Sequence, residues 1–311
     1  MKFRFQPWQL AAIVILMCAG AVIFAWWRRS ARTFDAAAML ECLPPDQATH
    51  VYIDFDALRK GGILQMIAGN KAAEEPDYQK FVSGTGFDYS RDLDAAAAAF
   101  FHGSEYFTLR GRFAWAKLAS YARAQGGTCS NSVCTMAAST PNRHISYYML
   151  SANVLALAVS PEEHGVNMIG PSQWKNPPQL PPEPVWISAP SFVFSNVENL
   201  PTGTHSFLSP LAQAEQVTFA AGAIGSDARR LQIRLEVSCP TPEVAAAMAT
   251  QLTRTTTLLK NMLDRDHMKP NPNDLSGVLV AGNFQQRDKR VTGTWPIERG
   301  FVEALAAGQV Q

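Results

Sequence analysis

Clustered histidines, nucleotide-binding glycine loops and an excess of either charge are all missing from this 311-residue chain. The six histidines, His50, His102, His144, His164, His205 and His267, never fall within five residues of one another, so no local zinc signature exists. No G-x-x-x-x-G-K-[ST], G-x-S-x-G or H-E-x-x-H run occurs, and nothing else in the chain marks a cofactor site. Lysine and arginine number 27 against 26 acidic residues, a net charge of +1, which leaves no electrostatic footprint for nucleic acid. With 47% hydrophobic residues the chain is neither wholly disordered nor a multi-span membrane protein.

Charge is absent altogether from Phe5 to Trp27. The apolar run Leu10–Ala25 with its flanks reaches the roughly 20 residues a helix needs to cross a bilayer. Trp8 at one end and Trp26 and Trp27 at the other suit the two headgroup layers, and Arg28 and Arg29 follow at the interface. The first reading is an uncleaved signal anchor over 8–27, with residues 1–7 cytoplasmic. A cleaved signal peptide at Ala19-Gly20-Ala21 is the second, although Val22–Trp27 continues the apolar run beyond it. A lipoprotein site at Cys18 is poor because Met17 stands where a small residue is wanted. Basic residues flank both ends of the segment, so charge bias does not fix its orientation.

Cysteine is scarce, and its placement points outward. Beyond Cys18 there are four: Cys42, Cys129, Cys134 and Cys239. Cys129 and Cys134 straddle a short polar turn, which suits a hairpin disulfide, and the remaining pair would be Cys42–Cys239. An even set with such a pair fits an oxidising compartment, whereas four reduced thiols would fit a cytoplasmic domain. The expectation is a single-pass protein of the cytoplasmic (inner) membrane with its C-terminal domain extracytoplasmic, here periplasmic. The first 32 residues carry five basic and no acidic residues, so the remainder is mildly acidic and is not drawn to anionic headgroups. The lipid bilayer is then met through one helix.

After a tether over 28–49, the pattern divides at a proline-rich linker over 171–184 into modules at 50–170 and 185–308. His50–Phe55 alternates as a half-buried strand, and Asp56 is placed to cap the Ala57-Leu58 helix. Leu93–Phe101 with Glu105–Arg110, and Ile145–Leu150 with Val154–Val159, read as strand pairs. Helices are expected over Arg112–Ala124 and after Pro161. Beyond the linker, Val217–Ile224 and the strictly alternating Leu231–Cys239 read as strands. Thr241 and Pro242 open a long amphipathic helix. Gly277–Phe284 and Arg290–Trp295 follow as a further strand pair, and Pro296 starts a last helix. The element order is similar in the two parts. The fold class is therefore α+β: an N-terminal transmembrane helix and two related modules of antiparallel sheet covered by helices.

Leu43-Pro-Pro-Asp46 and Tyr52-Ile-Asp-Phe-Asp-Ala-Leu58 resemble a pattern of bacterial membrane-anchored extracytoplasmic proteins of unknown function. The resemblance extends over 40–308. It implies topology alone and brings no catalytic residue or ligand.

Candidate chemistry is sparse. Asp54 and Asp56 lie two apart, so both could face a cation, but a hard-cation site needs several more oxygens. Ser172-Gln-Trp-Lys175 fits S-x-x-K without the helix that motif requires. Phe100, Phe101, Tyr106, Phe107, Phe113, Trp115, Tyr147 and Tyr148 read as core, or as the lining of a groove. The functional expectation is a binding or scaffold protein for a protein partner or small ligand, without catalytic, cofactor-binding or metal residues. The alternative is an extracytoplasmic hydrolase whose site is assembled from distant residues such as Asp54, Asp56 and a histidine.

Overall fold

The computed structural model describes residues 34–45, 47–66, 76–171, 174, 179–195, 202–224 and 227–307. The expected span at 8–27, with Trp8, Trp26, Trp27, Arg28 and Arg29, lies outside them. No helix among the described residues is long and apolar enough to cross a membrane. Residues 1–35 and 36–311 form separate units.

The second unit is mixed α/β, built on one twelve-stranded antiparallel sheet. In chain order its elements are α1 (Ala36–Glu41), β1 (Thr49–Asp54), α2 (Phe55–Lys60), α3 (Pro76–Thr85), α4 (Tyr89–Asp92), β2 (Leu93–Phe101), β3 (Ser104–Gly111), α5 (Trp115–Ala124), β4 (Thr128–Ser130), β5 (Val133–Ala137), β6 (His144–Ser151) and β7 (Val154–Ser160). There follow β8 (Val185–Pro190), α6 (Thr202–Leu208), β9 (Gln216–Ile224), β10 (Asp227–Ser238), α7 (Pro242–Arg265), α8 (Leu275–Val280), β11 (Asn283–Arg287), β12 (Arg290–Ile297) and α9 (Arg299–Ala306). The strand order is β11-β12-β10-β9-β8-β1-β2-β3-β7-β6-β5-β4. β1 and β8 therefore meet inside the sheet, with five strands on one side of the junction and seven on the other, and with Tyr52 opposite Trp186 and Val51 opposite Ile187.

Because side chains alternate across a strand, register assigns each residue to one of two faces. One face, the back, carries the helices. Beside β8–β12, Val217, Leu235, Val237, Val291 and Trp295 pack with Phe207, Leu211, Met248, Leu252 and Phe301 in one core. Beside β3–β7, Tyr147 and Leu155 pack against Leu118, Ala119 and Ala122 of α5 in another. Tyr147 also donates its hydroxyl to Leu118 O at 2.8 Å, and burial pushes its pKa up to about 12.

The front face differs between the two sides of the β1–β8 junction. Over β1–β7 it is lined by Ala95, Ala97, Ala99, Thr108, Ala156 and Ala158, all fully buried. Their cover is polypeptide: residues 36–45 and 161–171. Residues 36–45 are thus packed, not a tether, because Met39 and Leu43 have an apolar surface to bury themselves on and are 0% exposed. Over β8–β12 the front keeps a buried alanine at Ala220 but otherwise presents Gln216, Thr218, Arg234, Glu236, Ser238 and Thr292.

Several local expectations change. The cap of α2 is Asp54, whose Oδ1 accepts from Ala57 N at 2.8 Å; Asp56 sits in the first turn and pairs with Lys60 Nζ at 2.6 Å. Residues 275–280 are helical, since Asp274 Oδ1 accepts from Gly277 N at 3.0 Å and opens a turn that the apolar run continues. The helix expected after Pro161 is a single 3₁₀ turn over Gly165–Met168. Before β2, Asp92 accepts from Arg91 Nη2 and Arg112 Nη2, each at 3.0 Å, and from Asp88 N. The Arg91 bond first of all lowers the Asp92 carboxyl to about 2.

Cys129 and Cys134 stand opposite one another in β4 and β5 and form a disulfide. Cys42 and Cys239 do not: both are free and buried. Cys42 Sγ, just past α1, donates to Ala38 O of that helix at 3.3 Å, and Cys239 belongs to the core behind β8–β12.

Candidate binding groove

The front of β8–β10 is the floor of a groove of about 750 Å³. Its construction follows from strand alternation. Trp186 and Ser188 of β8, Gln216 and Thr218 of β9, and Arg234, Glu236 and Ser238 of β10 point the same way, while the residues between them fill the core behind. Arg290 of β12 closes one side. The opposite wall is the proline-rich stretch 179–182, with Trp174, Leu40 and Ala48.

Two anchors hold that wall. Glu183 forms an ion pair with Arg234: Nη2 donates to Oε2 at 2.9 Å, and Nε lies 2.9 Å from Oε1 without the alignment of a second hydrogen bond; the Glu183 side chain is 11% exposed. Trp174 Nε1 donates to Leu40 O at 3.0 Å and to Leu43 O at 3.2 Å, tying the stretch to the segment after α1. Gly222 makes room for it, since a Cβ there would stand 3.1 Å from both Glu183 Cγ and Pro184 Cδ.

The groove's polar groups form two sets. Ser188 Oγ and Thr218 Oγ1 lie 2.8 Å apart, and Gln216 Nε2 donates to Ser188 Oγ at 2.9 Å. Arg234 is held by Glu183, and Arg290 Nη1 lies 3.2 Å from Glu236 Oε1, so both arginines are engaged. Trp186 stacks on Tyr52 with ring centroids 5.7 Å apart; it is 2% exposed, and its indole N–H has no acceptor among the described residues. His50 closes the floor at β1. Its Nε2 is 2.9 Å from Pro44 O, and burial lowers its pKa, so the ring is neutral at pH 7 and donates there.

The residues singled out by sequence are placed elsewhere. Asp54 and Asp56 serve the start of α2, and neither lines the groove. His144 lies on β6, His205 on α6, and His102 and His267 occupy turns with positive φ. His164 Nδ1 is 3.4 Å from Thr135 Oγ1. Among the described residues no three His, Cys, Asp or Glu side chains gather as a metal site. Ser172 and Lys175 lie outside the described residues. Of the aromatic residues, Tyr106 and Tyr147 are buried, whereas Phe100 is exposed beside a second hollow of about 550 Å³ at the β2–β3 turn. In sequence the groove's own residues are simply the polar positions of alternating strands, with nothing local to mark them as a site. Comparison of the chain with protein families, with characterised proteins and with solved structures finds no match.

Proposed function

We propose that the chain is a single-span membrane-anchored protein of the cytoplasmic membrane whose extracytoplasmic body binds a ligand or partner in the groove over β8–β10. The observation that carries this reading is a roomy, walled groove whose floor offers hydroxyl, amide and indole groups beside tryptophan and proline. Binding sites combine such an apolar surround with a few placed polar groups, typically within roughly 300–1,000 Å³. The apolar run over 8–27 supports the anchor. The Cys129–Cys134 disulfide supports an oxidising compartment.

The body is read as two related modules joined at their first strands. Outward from the centre one side runs β1-β2-β3-β7-β6 and the other β8-β9-β10-β12-β11, the same order by position, with the β4–β5 hairpin as an addition to the first. On this reading the groove belongs to the second module and the stretch between modules forms its wall.

The test is a photo-crosslinking side chain introduced at Gln216 in the full-length chain in native cells, with the same group at the exposed helix position Asp264 as reference. A discrete, saturable adduct from position 216 alone is expected, on protein that stays in the membrane pellet at alkaline pH and is open to protease from outside. Equal or no adducts from both positions would overturn the groove. Protein released from the pellet would overturn the anchor.

A further inference from the structure

We infer that the groove's occupant is a segment of uncharged polypeptide, bound through its main-chain carbonyls; this rests on the binding-groove reading above. The sheet contains its own precedent. Over β1–β7 the same front face is covered by polypeptide, and side-chain donors take the cover's carbonyl oxygens one by one. Thr108 Oγ1 donates to Met39 O at 3.0 Å, and Tyr148 OH to Ile169 O at 2.8 Å. His50 Nε2 donates to Pro44 O at 2.9 Å.

Beyond β8 the donors are of the same kind. Ser188, Thr218 and Gln216 present hydroxyls and an amide that bond to each other across the strands, and Trp186 has an indole N–H with no acceptor among the described residues. A buried donor without a partner costs free energy that an incoming acceptor would recover. An unoccupied floor of donors flanked by tryptophan and proline is the setting in which extended, proline-containing peptides are recognised.

Charge narrows the class. Arg234 and Arg290 are already paired with Glu183 and Glu236, so among the described residues no free cation in the groove awaits a phosphate or an acidic peptide. The same pairing satisfies Glu183 and Glu236, so a basic peptide gains little from them. A neutral oligosaccharide would want an open aromatic face to stack on, and Trp186 is already stacked on Tyr52.

The experiment selects a phage-displayed library of random dodecapeptides on the full-length chain in detergent micelles. Cellohexaose and chitohexaose are titrated in parallel. Enrichment of uncharged sequences is expected. Synthetic peptides from the selection should bind at least tenfold more weakly to Thr218→Arg, which fills the floor with a bulky cation, and as tightly as wild type to Gln285→Arg, exposed on the edge strand β11 outside the groove. Ser188→Arg serves as a second block if the first variant misfolds, judged by circular dichroism. Peptides that bind both blocked variants like wild type, or selected sequences that are consistently charged, would overturn the inference. Binding of an oligosaccharide but of no peptide, lost in Thr218→Arg, would overturn the occupant while leaving the groove. Failure of every probe, together with no adduct at position 216 in cells, would sink both.

Discussion

The two sides of the sheet solve the same problem differently. Each buries its back face under helices, but the first side also buries its front, under chain that precedes β1 and follows β7, while the second covers only Trp186 and Ala220 and leaves its polar front residues partly exposed. The cause lies in side-chain size and polarity. Alanines at 95, 97, 99, 156 and 158 make a flat apolar floor on which a backbone can lie close. Gln216, Thr218, Arg234 and Glu236 at the matching depth make a floor that prefers water or a hydrogen-bonding guest. A face buried by its own chain cannot receive a partner, and a face built to be wet can. The contrast separates the structural half of the molecule from its candidate binding half.

Four perturbations put that contrast at risk. The largest effect is expected from Leu43→Ala, which opens a cavity under the cover of the first side and should cost about 2–5 kcal/mol. Leu180→Ala in the groove wall, a half-buried residue, should cost about 1 kcal/mol or less by chemical denaturation. Next, Ala156→Leu forces a larger side chain between floor and cover and should cost about 1–3 kcal/mol, against about 0.5 kcal/mol or less for Thr218→Leu. Equal losses at 156 and 218 would erase the distinction between a covered and an open front.

The disulfide comes third. Its cysteines are five residues apart, so loop closure contributes about 2 kcal/mol at most. Cys129→Ser with Cys134→Ser should lower the melting temperature and raise hydrogen exchange in β5 and β6, with β9 and β10 unchanged. An unchanged melting temperature would show the bridge to be energetically idle. The smallest effect concerns pH. The buried His50 has its pKa lowered from the ordinary 6.5, so between that value and its folded pKa the unfolded chain binds more protons. Stability should therefore fall as pH drops below about 6.5, and His50→Gln should flatten that part of the profile in melts between pH 7.5 and 5. A wild-type profile that stays level there would mean that His50 ionises freely.

Much of this architecture was legible because alternation is a local signal. Leu231, Ile233, Leu235 and Val237 have a wet strand face between them, and the pattern of β10 follows from that alone. Cys129 and Cys134 were legible for the same reason, since a turn of four residues brings them opposite each other. Residues 277–280 were not, because a short apolar run fits a strand or a buried helix equally well, and the cap that decides it is one hydrogen bond donated by Gly277 N to Asp274. Counting cysteines pairs Cys42 with Cys239 by parity, yet parity holds no distance. The groove depends on contacts between residues far apart in sequence, Glu183 with Arg234 and Trp174 with Leu40, which leave no trace in local pattern.

The position of β1 has a consequence for how the protein is made. The first strand to emerge is the one that ends in the middle of the sheet. β2 can cover one of its edges early, but the other edge must wait for β8, which begins at Val185. At ordinary rates of chain elongation that interval is on the order of ten seconds. During it, the partly folded chain offers a strand edge with an unpaired row of N–H and C=O groups, the kind of template that invites pairing with the wrong chain. Neighbouring nascent chains would meet one another at that edge, so the seam that makes the finished sheet continuous is also where its assembly is most exposed to error.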